Sequence, residues 1–262
     1  MSTVTMRMEE LHKLGTEMLK CVAEICEEEK INYCMLFGSM LAAVRHQGPI
    51  PWDYDIDITV PENEYARFIS VMEKRLPDKF WVDFRSDRDT PKCFARIGLS
   101  GFDTRSLHID VYRLVGFPES MKTCKSIVKR GRLLLEMRLV KDTNIDYFTG
   151  KKRKKVQLYR KLLLPISTKT VVKRFDKLCG KYPYEKMDRV GLNACKLGVK
   201  YIYDKGIFDD TILVDYCDFK VRIPREYDSM LRQLYGDYMQ FPEQEMIDSS
   251  LNSDYVLHRL ND

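Results

Sequence analysis

The chain has no CxxC pair, no long hydrophobic run, no internal repeat and no low-complexity linker. Its eight cysteines are scattered without a pairing pattern, which fits free thiols in a reducing cytosol. No apolar stretch approaches the roughly 18 residues a spanning helix needs, and no charged, apolar, small-residue signal opens the chain. A soluble or peripheral protein on the cytoplasmic side of a membrane is therefore expected. Without repeats or linkers, 262 residues at 44% apolar content make one large domain, or a core with a smaller lobe.

The net charge of +5 conceals an asymmetry. Between Lys122 and Lys177 stand 18 Lys and Arg against Glu136, Asp142, Asp146 and Asp176, a local +14 that leaves −9 for the rest. Within this stretch Ile127 to Val140 reads as a basic helix with Leu133, Leu134, Met137 and Val140 on one side, and Lys151 to Lys155 precedes the apolar Val156 to Ile166. Such a segment suits an anionic membrane surface or an anionic polymer, or it is the solvated face of a helical lobe. A nucleic-acid partner is disfavoured, because no RNA- or DNA-binding motif accompanies the charges.

Periodicity outlines an α/β order. Met6 to Lys30 is an amphipathic helix carrying Leu11, Leu14, Met18, Cys21, Val22 and Ile25 at helical spacing. Ile31 to Phe37 has the length of a strand; a Gly38-Ser39 turn and a helix over Met40 to Val44 follow. A helix from Pro61 to about Leu76 turns Tyr65, Phe68, Ile69 and Met72 inward. Phe80 to Phe84 and Cys93 to Leu99 form a hairpin around a charged loop, and Leu107 to Leu114 is a further strand with His108, Asp110 and Tyr112 on one face. Later come a helix over Lys169 to Cys179, a strand at Val221 to Pro224 after a turn, and a short helix over Glu226 to Gly236, with Tyr235 to Tyr238 as its C-cap and core aromatics. The expected fold is a mixed β-sheet flanked by helices, divided as a core (1–118), a basic helical segment (119–180) and a C-terminal part completing the core (181–262).

Gly48 to Val60, reading GPIPWDYDIDITV, carries the chemistry. Asp55, Asp57 and Thr59 alternate with Ile56, Ile58 and Val60, so an extended backbone sets both carboxylates on one face, about 6 to 7 Å apart, and the aliphatics against a core. Carboxylates so placed suit a divalent cation or a close pair of them. Upstream, a strand, the Gly38-Ser39 pair and a helix start make a phosphate cradle: glycine lets the backbone approach an anion, and the hydroxyl and free amides bond to phosphate oxygens. Asp53, Asp55 and Asp57 with Glu64 at the twelfth position also match the acid spacing of a calcium-binding EF-hand loop. That reading is opposed by Ile58 where the loop needs glycine, and by Gly48, Pro49 and Pro51 in place of the entering helix.

The segment Phe37 to Val60, FGSMLAAVRHQGPIPWDYDIDITV, resembles the signature of the LicD/fukutin-like phosphotransferases, a branch of the nucleotidyltransferase superfold. Arg96-Ile97, Ile109-Asp110-Val111-Tyr112 and Tyr235 to Met239 before Pro242 extend the likeness. The sequence departs from the family at Tyr54, where an acid is usual, at Arg113-Leu114-Val115, where a further acid is frequent, and over Glu243 to Asn252, which lacks the family's histidines. The resemblance implies transfer of a phospho-alcohol, most often phosphocholine from CDP-choline, onto a sugar of a surface glycan or its lipid-linked precursor. It implies Mg²⁺ or Mn²⁺ on Asp55 and Asp57, with Asp110 as a third ligand or as proton acceptor. Gly38 and Ser39 would cradle phosphate, with Arg45 or Arg96 as its clamp. Trp52 or Tyr54 would stack on the cytosine or enclose a quaternary ammonium. His108 reads as a packing or hydrogen-bonding residue. Two further readings stand beside transfer of a phospho-alcohol: nucleotidyl transfer with the same carboxylates, and a silent binding module, against which retention of all three aspartates argues.

Overall fold

The computed structural model describes residues 3–83, 93–102, 107–143, 145, 148–251 and 255–258. A short strand β1 (Thr3–Met6) leads into α1 (Met8–Glu29), whose N-terminus is closed by the Glu10 carboxylate accepting from the Arg7 amide at 2.9 Å. The helical spacing of Leu11, Met18, Leu19, Val22, Ile25 and Cys26 is matched by their burial, each full burial contributing about 1.5–3 kcal/mol. Lys30 ends the helix in a left-handed conformation, φ 53°.

The next segment differs from its expected form. Only Cys34–Met35 (β2) joins a ladder, because the backbone at Phe37 turns to φ 46° and helix α2 (Phe37–Leu41) begins there. Gly38 and Ser39 are thus its first turn rather than a connection before it. The expected helix over Met40 to Val44 is split between α2 and a π-helical turn, Ala42–His46. β3 (Ile56–Pro61) follows and leads into α3 (Glu62–Arg75), which buries the four residues its spacing indicated. β4 (Phe80–Asp83) and β5 (Ala95–Leu99) pair antiparallel; the charged loop expected between them lies outside the described residues. β6 (His108–Phe117) runs three residues beyond its expected end, because its far half pairs with β7.

The main sheet has the order β2-β3-β6-β5-β4, with β3 and β6 parallel and the other pairs antiparallel. In β3, Ile56, Ile58 and Val60 are buried on one face, as alternation dictates. The opposite face is set by register. Asp57 stands across from Asp110 and Thr59 from Tyr112, while Arg96 of β5 stands across from Asp110 on the other side.

Helices α4 (Met121–Asp142), α5 (Gly150–Leu162) and α6 (Thr168–Cys179) make up the basic segment. α4 turns Cys124, Ile127, Val128, Gly131 and Arg138 inward, while Leu133, on the side that the spacing marks as apolar, is 55% exposed. Two contacts set the buried face. α4 packs beside α6 in a second apolar cluster with Val115, Phe117 and Phe175. Gly131 also meets the backbone of Asn193 so closely that a Cβ there would fall 2.0 Å from its carbonyl oxygen. α5 leans on the end of α4, where the Arg160 guanidinium donates to the Val140 carbonyl (2.7 Å) and Lys141 to that of Leu163 (3.1 Å).

The C-terminal third adds β7 (Arg189–Gly191) and β8 (Ile202–Asp204) to the edge of β6, then α7 (Gly206–Asp209). A β9 (Thr211–Tyr216) and β10 (Phe219–Pro224) hairpin turns at Cys217, φ 53°. α8 (Tyr227–Tyr235) stops at Gly236, φ 69°, with Tyr238 tucked in behind it. After α9 (Gln244–Leu251), β11 (Tyr255–His258) pairs with β1. All eight cysteines are free thiols, six of them buried. No helix among the described residues is long and apolar enough to cross a membrane.

Candidate active site

The carboxylates meet where β3 enters the sheet. Asp57 and Asp110 are register partners on parallel strands, so their side chains leave the same face side by side. Arg96 donates from Nε to Asp110 Oδ1 at 2.6 Å, and His108 Nε2 lies 3.4 Å from the same oxygen. Asp55, just before β3, completes the group from the loop. Burial pushes the Asp57 carboxyl well above the usual range, and the negative charges of Asp110, Asp55 and Asp53 push it further, against a smaller opposing effect of Arg96. Like charges crowded at the end of a strand are the condition a hard cation relieves.

Ser39 fixes this strand end. Its buried hydroxyl accepts from the Asp57 amide at 2.8 Å and donates to the Asp55 carbonyl at 3.4 Å. Gly38 lies against the Asp53 carboxylate, which a Cβ would approach to 3.3 Å. Asp53 in turn accepts from the Asp55 amide (3.1 Å), and its own carbonyl is bonded to His12 (2.8 Å). The Gly-Ser pair is placed behind the aspartate loop, where the serine side chain serves the backbone that presents the acids.

Asp55, Asp57, Arg96 and Asp110 line one cavity of about 560 Å³. Its other walls are Phe37, Phe94, His108 and Tyr112, the segment Ala194 to Leu197, Leu135 of α4 and Tyr235 of α8. Gly38, Ser39 and Tyr54 line a separate, smaller hollow behind the loop, which Asp55 also borders. Arg45 is not among the residues lining either hollow: its guanidinium donates to the carbonyls of Tyr238 (2.7 Å) and Gln240 (3.1 Å) and lies over the rings of Trp52 and Phe241. Trp52 packs edge-on against His46 and Phe241, and Tyr54 against Tyr255. The chain thus brings together Asp55, Asp57, Asp110 and Arg96, sets Gly38 and Ser39 directly behind them, and uses Arg45 and Trp52 to clasp the segment after α8.

Phe94 and Lys196 with its neighbours carried no mark in the sequence, while Phe37 and Tyr235 were marked only as members of the family-like segments and not as cavity residues. The alternation that puts His108, Asp110 and Tyr112 on one face pointed to His108 and Tyr112 as neighbours of the acids.

Among the described residues no three His, Cys, Asp or Glu side chains stand close enough to ligate one ion as they are, and Asp110 is paired with Arg96. The donor chemistry still fits a hard divalent cation: oxygen ligands only, two of them on paired strands, with the charged Asp57 carboxylate destabilised by burial and by its acidic neighbours.

Residues 30–168, more than half of the chain and spanning β2 through the start of α6, match the sequence model of LicD/FKTN/FKRP, nucleotidyltransferase domain. The chain belongs to the LicD family. Among its relatives, the lipopolysaccharide cholinephosphotransferase LicD of Haemophilus influenzae is 26% identical over 263 aligned residues, covering 94% of this chain and 95% of that protein. An uncharacterized protein of Rickettsia typhi is 34% identical over 56 residues, 21% of this chain and 18% of its own. The family match contains Asp55, Asp57, Arg96 and Asp110, and the full-length relative extends over the segments carrying Lys196 and Tyr235 as well.

Proposed function

We propose that this LicD-family protein is a transferase that moves phosphocholine from a cytidine-diphosphate-linked donor to a sugar of a lipopolysaccharide or similar surface glycan, with Mg²⁺ or Mn²⁺ as cofactor. The observation that carries the reading is the row Asp57, Asp110 and Arg96 across three strands, facing a cavity large enough for a nucleotide-linked donor, in a chain aligned along almost its whole length with a cholinephosphotransferase.

Asp55 and Asp57 would hold the divalent cation, with Asp110 beside them. When bound, that ion supplies positive charge to the donor diphosphate and to the oxygen that leaves with the nucleotide. The protein's part is positioning. Arg96 keeps Asp110 turned along the sheet and Ser39 keeps the Asp57 backbone fixed. Lys196, exposed on the facing wall, supplies a cation to non-bridging phosphate oxygens. The acceptor hydroxyl attacks the phosphorus that carries choline, the bond from that phosphorus to the bridging oxygen breaks, CMP leaves, and a carboxylate of the cluster takes up the hydroxyl proton.

The basic segment is assigned to the acceptor side. On α5 and just beyond it, Leu158, Leu162 and Leu164 are 56, 67 and 75% exposed beside Lys151, Lys152, Lys154, Lys155 and Lys161. That pairing of exposed leucines with lysines supports contact with an anionic membrane carrying a lipid-linked acceptor.

The test is product identity. With Mn²⁺ or Mg²⁺ and a lipopolysaccharide acceptor, CDP-choline is expected to yield CMP, and both Asp55→Asn and Asp57→Asn to lose at least 100-fold in rate. Pyrophosphate from CTP or ATP in place of CMP would make the protein a nucleotidyltransferase, and half the activity surviving in both variants would reject the site.

A further inference from the structure

Beside the charged row lies an aromatic one. One step along the same strands, Thr59 stands across from Tyr112, and the ring of Phe94, just before β5, lies 4.5 Å from that of Tyr112, centroid to centroid. Phe37 meets Tyr112 edge-on at 5.8 Å, and Tyr235, 45% exposed, closes the rim of the cavity. Successive rows on one face of a strand are about 6 to 7 Å apart, so a diphosphate held at Asp57 and Asp110 puts its alcohol at these rings.

Phe37 is placed there against its own backbone preference. A bulky aromatic residue at φ 46° is a conformational outlier, of a kind costing about 1–3 kcal/mol, and such strain persists where the surrounding structure needs the side chain in that position. Its ring packs on Tyr112 and Tyr201, at the cavity wall. Trp52 and Tyr54, the aromatic residues nearest to the aspartates in sequence, are engaged elsewhere, with Phe241 and Tyr255 respectively.

We propose that Phe37, Phe94, Tyr112 and Tyr235 form the seat of the donor's quaternary ammonium, and that this wall selects a choline-type head group over neutral alcohols of the same shape. The assignment rests on the transferase reading above and names the group that the cavity reads. Ring faces attract a cation that cannot donate a hydrogen bond, and the neighbouring carboxylates add attraction of the same sign. Arg96, in the neighbouring row, is directed at Asp110 rather than at the rings.

The experiment compares kcat/KM for CDP-choline with that for its carbon isostere, in which a tert-butyl group replaces trimethylammonium. Shape is conserved and only the charge is removed. The wild-type protein is expected to prefer choline by about tenfold, and Phe94→Leu and Tyr235→Leu each to reduce that preference to about twofold, with Tyr235→Phe restoring it. Thermal melts establish that the variants are folded. If Phe94→Leu is not, Tyr235→Leu at the exposed rim carries the comparison. An absent preference in the wild-type protein, or one unaltered in the folded variants, overturns the assignment while CMP release upholds the transferase reading. No CMP from any cytidine diphospho-alcohol overturns both.

Discussion

The Ser39 hydroxyl accepts a hydrogen bond from the amide of Asp57 at 2.8 Å, eighteen residues further along the chain. A serine at the start of α2 therefore holds the first residues of β3, and does so while 3% exposed. Ser39→Ala leaves a buried amide without its acceptor, which costs about 1–3 kcal/mol. Urea unfolding is expected to show a loss of that size, with a parallel fall in kcat because the Asp55 and Asp57 backbone is no longer braced. A stability change below about 0.5 kcal/mol would mean that water replaces the hydroxyl without penalty.

The Arg96 and Asp110 pair gives a second prediction. Both side chains are largely covered, 9 and 14% exposed, so removing one partner strands the other's charge. Arg96→Met is expected to destabilise the protein by about 3 kcal/mol, and adding Asp110→Asn to recover most of it. Activity should recover in neither protein. A double variant as unstable as the single one would show that the cost lies in packing rather than in the buried charge.

How far the site was legible follows from these contacts. Asp55 and Asp57 announced themselves because alternation is local: Ile56, Ile58 and Val60 need a core, and the acids take the other face. Asp110 and Tyr112 were visible for the same reason. That Arg96 and not Arg45 joins them depends on strand order, since β5 lies next to β6 while Arg45 sits on a π-helical turn facing the segment after α8. No local pattern encodes that. The wall from Ala194 to Leu197 is further from reach, because it arrives through the approach of Asn193 to Gly131, a contact between two points more than sixty residues apart. The same contact turns the Gly131 side of α4 inward, together with Arg138, and leaves Leu133 on the apolar side exposed.

A third prediction concerns pH in protein kept metal-free with a chelator. The Asp57 carboxyl is raised by burial first and then by Asp110, Asp55 and Asp53, so the folded protein holds its proton more tightly than the unfolded chain does. Stability from this group is complete at low pH and is lost as pH climbs from the ordinary carboxylate range through the raised value. Asp57→Asn removes the titration, so its Tm is expected to exceed that of the wild-type protein at neutral pH and to vary less across the window. Adding Mn²⁺ at neutral pH should raise the Tm of the wild-type protein and leave Asp57→Asn unmoved, because an ion that binds only the folded state stabilises it by mass action. Equal Mn²⁺ responses in the two proteins would remove Asp57 from the cation site.

The last prediction separates the two contributions of α5. Lysines attract an anionic surface at long range and are screened by salt, whereas exposed leucines enter the interface and are not. Neutralising Lys151, Lys152, Lys154 and Lys155 to glutamine is expected to abolish binding to phosphatidylglycerol-containing vesicles at low ionic strength. Leu158→Ser with Leu162→Ser should instead leave initial attraction in place and abolish the fraction that stays bound at high salt. Both sets of positions, the four lysines and the two leucines, are solvent-facing, so Tm is expected to stay within about 2 °C of the wild-type value in either variant. Sedimentation with vesicles across a salt series reads the two effects apart. Binding that is equal on neutral and anionic vesicles, or insensitive to either set of substitutions, would return α5 to the role of a solvated strut on the end of α4, held there by Arg160 and Lys141.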